Sequence, residues 1–163
     1  MLFALTLIFP LVMVLAMISD LRKFEIPDAL SLLLVVAFVP VALLAGRGWV
    51  EIAWTFGLAA LVLLAGIGLF MAGVMGGGDG KLLAAATLWT GREQLAEFLI
   101  LTALAGGAVA LTLLLFRRWP LADGLRRIEV LRRLHERKKD VPYAVGIGAA
   151  GLMVYPNLPL LAG

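Results

Sequence analysis

The chain has 163 residues, a formal net charge of +3 at pH 7 and no cysteine. Hydrophobic residues make up 63% of it and its mean hydropathy is +1.04, whereas a soluble domain holds about 45–50% apolar residues. This composition excludes a soluble globular fold, and the lack of cysteine excludes disulfides, thiolate-bound zinc and a thiol nucleophile. The predicted fold class is an all-α, polytopic transmembrane helical bundle.

Six apolar stretches predict about six spans, folded as a single membrane-embedded domain over residues 1–163. The first stretch has no basic n-region and no small-residue cleavage site, so we interpret it as a retained span rather than a signal peptide. The fourth holds about 10–15 helical residues and needs the preceding glycine-rich segment to cross a hydrocarbon core of about 30 Å. In chain order the stretches are Leu2–Ser19, Ala29–Ala45, Val50–Val74, Gly80–Trp89, Leu95–Phe116 and Pro142–Leu161.

The distribution of basic residues predicts the orientation of the bundle. If all six stretches span, Arg47 and Arg92 lie on one side, and the other twelve of the 14 basic residues lie on the opposite side. Nine of those twelve are in the loop from Arg117 to Lys139. The positive-inside rule makes their side cytoplasmic and puts the N-terminus outside the cytoplasm. Omitting the fourth span would move this loop outside, against the rule, so six spans are favoured.

Two aspartates abut long apolar stretches. Asp20 ends the first stretch and Asp79 opens the fourth, so both are predicted at the cytoplasmic face, at similar depth, although they are 59 positions apart. Asp79 lies in the segment Gly76-Gly77-Gly78-Asp79-Gly80-Lys81. Hydrocarbon tolerates neither irregular backbone nor an ionisable group unless they face protein or a water-filled cavity. The glycines either open the backbone so that a substrate reaches Asp79, or allow close helix packing.

Two carboxyls at matching depth can act as a catalytic pair. Like charges held close together share one proton at working pH. The ionised member then activates a water as general base, while the protonated member polarises a carbonyl and later protonates the leaving amine. This is the chemistry of an aspartyl peptidase, which uses no metal ion, no cofactor and no nucleophilic side chain. The residues alone are equally compatible with a structural or an ion-conducting pair.

Three motifs resemble those of one family. Gly76-Gly77-Gly78-Asp79 matches the Gly-x-Gly-Asp motif of intramembrane aspartyl peptidases, a group that includes the type 4 prepilin peptidases. Asp20-Leu21-Arg22 followed by Ile26-Pro27 resembles the first-aspartate region of the prepilin peptidases. The segment from Gly78 to Ala85 resembles their second-aspartate region, and the segment from Val141 to Ile147 is similar to the start of their last helix.

The resemblance implies a set of site residues. Asp20 and Asp79 are the implied catalytic residues. Asp28 departs from the pattern, since the prepilin family usually has asparagine there, and the change bears on how the first loop contacts substrate. The other implied residues are Gly76, Gly77, Gly78, Gly80 and Lys81 around the motif, with Pro27, Asp28, Pro142 and Tyr143 as substrate contacts.

The implied activity is removal of a short basic leader, ending in glycine, from a prepilin-like precursor. The reaction is expected at the cytoplasmic face of a bacterial cytoplasmic (inner) membrane, and the charge-derived orientation agrees with this independently. Larger family members carry a cysteine-bearing domain and N-methylate the new terminus. This chain has no cysteine and little room between Asp20 and Ala29. A multi-pass, peptidase-only enzyme without N-methyltransferase activity is therefore expected, similar to those that serve Flp/tight-adherence pili.

The basic cytoplasmic loop at about 117–141 predicts an amphipathic helix on anionic lipid. This interpretation needs no further partner, so it is favoured over a nucleic-acid patch, and no nucleic-acid partner is expected. His135 has no companion histidine or cysteine and is predicted to be solvated rather than a metal ligand. The apolar positions are Leu121, Leu125, Ile128, Leu131 and Leu134, and the interleaved arginines are Arg126, Arg127, Arg132, Arg133 and Arg137.

Two rival functions use the same residues. In a serine/lysine membrane peptidase, Ser19 would be the nucleophile and Lys81 the base, although no serine motif surrounds Ser19. In a non-enzymatic membrane protein, Asp20 and Asp79 would relay protons or bind ions. For Lys81 alone, two roles are open: its ammonium extends to the lipid headgroups, or it biases the protonation of the aspartate pair.

Overall fold

A computed structural model of the chain describes residues 2–120, 124, 127–136 and 141–161. These residues form helices and turns without any strand, which confirms the all-α prediction. Seven α-helices are described, and two short 3₁₀ turns, Tyr155–Asn157 and Pro159–Leu161, follow the last of them. The α-helices are α1 (Leu2–Thr6), α2 (Ile8–Lys23), α3 (Asp28–Leu44), α4 (Trp49–Met71), α5 (Gly77–Phe116), α6 (Glu129–Glu136) and α7 (Tyr143–Val154).

Four described segments are long and apolar enough to cross a membrane by length and composition. They are Leu2–Lys23, which combines α1 and α2, together with α4, α5 and the segment Tyr143–Leu161. Helix α3 is apolar but has only 17 residues, about 25 Å at 1.5 Å per residue. These helices make the chain a membrane protein. The number of crossings depends further on α3 and on a break inside α5.

Helix α5 is broken at Gly91, whose backbone is not helical (φ 61°, ψ −170°). A straight helix of 40 residues would be about 60 Å long. Yet Asp79 faces the amide of Ala144, and Gly106 contacts the ring of Tyr143, so both sides of the break reach the start of α7. The chain therefore reverses at Gly91 into two antiparallel arms, α5a (residues 77–90) and α5b (residues 92–116), which hold the predicted fourth and fifth stretches.

Arg47 lies at the same end of the bundle as Gly91 and stabilises the reversal of the chain there. Its guanidinium donates to the carbonyl oxygen of Pro159 at 2.9 Å and to the carboxylate of Glu93 at 3.3 Å. Gln94 donates in addition to the carbonyl of Asn157. The loop after α3, the turn within α5 and the C-terminal segment are thereby joined to one another.

The short arm α5a is the centre of the bundle. Every residue from Leu82 to Gly91 is buried, and the fully buried Trp89 donates from its indole nitrogen to the carbonyl of Leu34 in α3 at 3.0 Å. The ring of Phe9 in α2 packs on Trp89 with centroids 5.6 Å apart. Because other helices surround this arm, its backbone is shielded from lipid, and its short length does not leave polar groups in hydrocarbon.

Replacing Gly91 with alanine should destabilise the bundle. Its φ and ψ fall in a region essentially restricted to glycine, and a Cβ there would lie 2.7 Å from Oε2 of Glu93. We expect Gly91→Ala to lower the free energy of unfolding by about 1–3 kcal/mol. The measurement is unfolding in detergent followed by tryptophan fluorescence.

The matched control for this test is Gly107→Ala. Gly107 lies in α5b with helical backbone, and a Cβ there would meet no atom within 4 Å. Its change in stability should stay within about 0.5 kcal/mol. Equal stability of the two variants would contradict the reversal at Gly91.

Candidate active site

Asp20 lies on the last turn of α2, and the chain reverses immediately after it. Helix α2 ends at Lys23, and Phe24 adopts a left-handed conformation (φ 55°) while its amide donates to the carbonyl of Asp20 at 2.8 Å. A non-glycine residue in this region is uncommon, and here it turns the backbone sharply at the helix end. Asp20 itself is 5% exposed, so its carboxyl points into protein.

The carboxyl of Asp20 is held by the start of α7. The amide of Ala144 donates to Oδ2 of Asp20 at 2.9 Å. Ala144 lies in the first turn of its helix, where amides have no partner within the helix and where the helix dipole favours a carboxylate. The hydrogen bond thus satisfies a free amide and fixes the position of Asp20 from 124 residues away.

Asp79 occupies the first turn of a different helix. The amide of Gly76 donates to its Oδ2 at 3.1 Å, so the side chain caps the start of α5. The residue is 7% exposed, and its carboxyl also faces the amide of Ala144. Its other oxygen, Oδ1, is buried and accepts no hydrogen bond from the described residues. The hydrogen-bonding capacity of this oxygen is therefore unused in the structure.

The two aspartates line one cavity of about 500 Å³. They are close enough for their charges to repel each other electrostatically. Among the described residues, every ionisable group that lines the cavity is a carboxyl, because Glu25 and Asp28 join Asp20 and Asp79. The structure therefore brings together the two residues predicted to be catalytic.

The shared cavity permits general acid–base chemistry. Two carboxyls that repel each other hold one proton between them, which leaves one member ionised and one protonated. The ionised carboxylate can take a proton from water while the other donates one to a carbonyl oxygen. Among the described residues, no cluster of three or more histidine, cysteine or acidic side chains is placed to hold a metal ion. The absence of a cofactor stays a prediction.

The glycines of the motif allow neighbouring atoms to pack closely, and most of them lie in regular helix. The irregular backbone lies at residues 72–76, and helix α5 begins at Gly77. A Cβ at Gly76 would lie 2.7 Å from Oδ2 of Asp79, and one at Gly78 would lie 3.2 Å from Cβ of Ile26. A Cβ at Gly80 would approach Cα of Gly66 in α4 to 3.4 Å. The packing interpretation therefore describes Gly78 and Gly80, while Gly76 makes room for the carboxyl of Asp79.

Lys81 has a partner that neither sequence interpretation anticipated. Its ammonium donates to both carboxylate oxygens of Asp28, at 2.8 and 2.9 Å. Both side chains are at least half exposed, so this ion pair contributes little to stability, about 0–1 kcal/mol. Both charged residues are visible in the sequence, but they are 53 positions apart, so their pairing could not be read from it.

The other residues that the sequence suggested for the site lie near it, and their contacts in the structure support the fold. Pro27 and Pro142 directly precede α3 and α7. The ring of Tyr143 packs against Gly106. The hydroxyl of Ser19 donates to the carbonyl of Glu25 at 2.8 Å. Since Lys81 pairs with Asp28, this geometry gives no support to a serine/lysine dyad.

The basic loop is described only for residues 117–120, 124, 127–136 and 141. Its helix α6 lies against the ends of two others: Arg133 donates to the carbonyl of Arg22, and Arg117 donates to the carbonyl of the buried Leu134. Hydrogen bonds from Arg132 and then Arg133 lower the pKa of the Glu129 carboxyl. Leu121, Leu125, Arg126 and Arg137, which the lipid interpretation also uses, lie outside the described residues.

The prediction that His135 is solvated is wrong in part. Its ring makes an edge-to-face contact with Phe116, with centroids 5.5 Å apart, and its Nδ1 is buried without a hydrogen-bond partner among the described residues. The physical reason is that α6 packs its apolar face on the end of α5b, which covers one side of the ring.

These features define a helical membrane protein with two buried carboxyls in one cavity at the end of the bundle. The family model described as the type IV leader peptidase family matches residues 7–111, which include both aspartates. The chain therefore belongs to the type IV leader peptidase family, and it is a membrane protease. Comparisons with curated proteins and with solved structures gave no match.

Substituting Gly76 should impair the site without unfolding the protein. Because a Cβ would lie 2.7 Å from Oδ2 of Asp79, that carboxyl must move and lose its capping hydrogen bond. We expect Gly76→Ala to lower leader cleavage at least about tenfold, the effect of misplacing a catalytic group. The control is Gly68→Ala, where a Cβ meets no atom within 4 Å. Comparable activity of the two variants would show that Asp79 does not need this position.

Proposed function

We propose that the protein is an intramembrane aspartyl endopeptidase that removes the short basic leader from type 4 prepilin-like precursors. The observation that carries this proposal is the burial of Asp20 and Asp79 in a single cavity, where both carboxyls face the amide of Ala144. Membership of the leader peptidase family supports the same reaction.

The proposed hydrolysis uses only the two carboxyls and water. The ionised aspartate takes a proton from a water whose oxygen attacks the scissile carbonyl, and the protonated aspartate donates its proton to the carbonyl oxygen. When the resulting tetrahedral intermediate collapses, the C–N bond breaks and the amine leaves with a proton supplied by the aspartate that acted as base. A diol hydroxyl gives its proton to the other aspartate, which restores the starting protonation of the pair. The leader departs with a new carboxylate, and the mature chain keeps the new amino terminus.

The position of α6 supports a cytoplasmic site. Arg133 donates to the carbonyl of Arg22, two residues after Asp20, so the basic helix lies at the aspartate end of the bundle. The positive-inside rule then puts both in the cytoplasm. With α3 and the two arms of α5 counted as crossings, the bundle has six spans and an external N-terminus. We place it in the bacterial inner membrane, with the basic loop on anionic lipid.

The charge of the cavity suits a basic leader. Glu25 lies at its edge, where it can attract lysine or arginine side chains close to the scissile bond, while the neighbouring Asp28 is paired with Lys81. The short internal segment between Asp20 and Ala29 leaves little room for the cysteine-bearing domain of N-methylating family members. We therefore assign the chain peptidase activity alone, in the manner of the small enzymes of Flp/tight-adherence systems.

Amide substitutions at the two aspartates test this mechanism. Asp20→Asn and Asp79→Asn each keep the shape of the side chain but remove its acid–base function, so each should lower leader cleavage by more than about 10³-fold. Processing of a co-expressed prepilin-like precursor, followed by a shift in its mass, is the measurement. Glu97→Gln makes the same chemical change at an exposed position of α5b and should cleave normally.

The serine/lysine alternative predicts a different pattern. Ser19→Ala removes its nucleophile and should leave cleavage within about twofold of the parent if the aspartates act. Efficient processing by a membrane-inserted Asp79→Asn protein would contradict the aspartyl mechanism. If loss of activity were confined to Ser19→Ala, the alternative would replace it.

A further inference from the structure

A groove separates α3 from α4 beside the candidate active site. Both helices pack on α5, and they touch each other where the rings of Phe38 and Phe56 meet edge to face, with centroids 5.8 Å apart. On the aspartate side of that contact a cavity of about 650 Å³ lies between the helices. The groove is therefore closed at one end by aromatic rings and reaches the starts of α3 and α5 at the other.

The walls of the groove are shaped for an apolar helix. Its α4 and α5a sides carry the small residues Ala59, Ala60, Ala84 and Ala85, which allow another helix backbone to approach closely. Its α3 side extends from Asp28 to Val35. These eight residues rise about 10 Å, or two helical turns, and a helix with its side chains is about 10–12 Å across. The groove matches two turns of a transmembrane helix.

The groove is continuous with the catalytic cavity. Asp28 lines both, and its ion pair with Lys81 stands at the junction between them. A chain whose peptide bond lies between Asp20 and Asp79 therefore passes into the groove without leaving the surface of the protein. The residues that follow the scissile bond in a membrane-anchored precursor are apolar, which suits the walls.

We propose that the groove between α3 and α4 binds the hydrophobic helix of the substrate and presents its first peptide bonds to the cavity of Asp20 and Asp79. The proposal rests on the leader peptidase function and specifies how a membrane-anchored substrate is held for it. Recognition then has two parts, since the acidic cavity receives the basic leader and the groove receives the helix that follows.

Photocrosslinking tests the occupant of the groove directly. The probe is a tagged precursor with a short basic leader ending in glycine and an apolar helix of about 20 residues. In the Asp79→Asn protein, p-benzoylphenylalanine in place of Ala60 should crosslink to the helix of this probe at least fivefold more than the same residue in place of Ala65. Ala65 is also an exposed alanine of α4, but it lines none of the described cavities.

Filling the groove provides a second measurement. Ala60→Phe places a bulky ring among the groove residues, so it should lower the rate of cleavage of the same precursor at least tenfold. Ala65→Phe adds the same ring on the same helix and should cleave within twofold of the parent. Crosslinks from position 60 only to lipid or to a second copy of the chain, or normal cleavage by Ala60→Phe, would overturn the proposal.

The two measurements separate this proposal from the function on which it rests. If the parent protein cleaves the probe but position 60 does not crosslink to it, the groove assignment is wrong and the peptidase function stands. Crosslinking at position 60 together with failure of the parent protein to cleave the probe would reject the peptidase function and keep the groove. Failure of both cleavage and crosslinking would overturn both.

Discussion

The hydrogen bond from the amide of Ala144 to Asp20 is the contact on which the arrangement of the site depends. It forms only if the start of α7 is brought to the end of α2. Close contacts secure that approach: a Cβ at Gly146 would lie 2.7 Å from Cα of Gly106, and one at Gly148 would overlap the side chain of Met17. Glycines thus let α7 lie directly between α2 and α5b, and the amide of Ala144 in its first turn faces both aspartates.

The buried arm α5a connects this site with the opposite end of the bundle. Its first turn carries Asp79, its end is the reversal at Gly91, and Trp89 ties it to α3 through the carbonyl of Leu34. Gly80 and Gly66 bring it close to α4. A single short helix therefore supplies one carboxyl of the candidate site, one wall of the cavity and one wall of the groove, and its neighbours fix it along its whole length.

Sequence patterns predicted the parts of this arrangement that side-chain chemistry encodes. The two aspartates stand out because charge is rare beside long apolar stretches. The contribution of Ala144 could not be predicted, because its main-chain amide acts and an alanine side chain carries no signal. The ion pair of Asp28 with Lys81, the ring contact of His135 and the divergence of α3 from α4 all depend on helix packing between residues distant in the chain.

In the proposed mechanism, Asp20 and Asp79 act on the same peptide bond. Because the sequence has no cysteine, the proximity of these two residues can be tested directly with introduced thiols. A protein carrying Asp20→Cys and Asp79→Cys has only two thiols, and its membrane-inserted form can be treated with a short bifunctional thiosulfonate. Intact mass should show one linker joining both thiols, whereas the pair Asp20→Cys and Glu97→Cys should take up two linkers. Independent reaction of the thiols at positions 20 and 79, with one linker on each, would contradict a shared site for the two carboxyls.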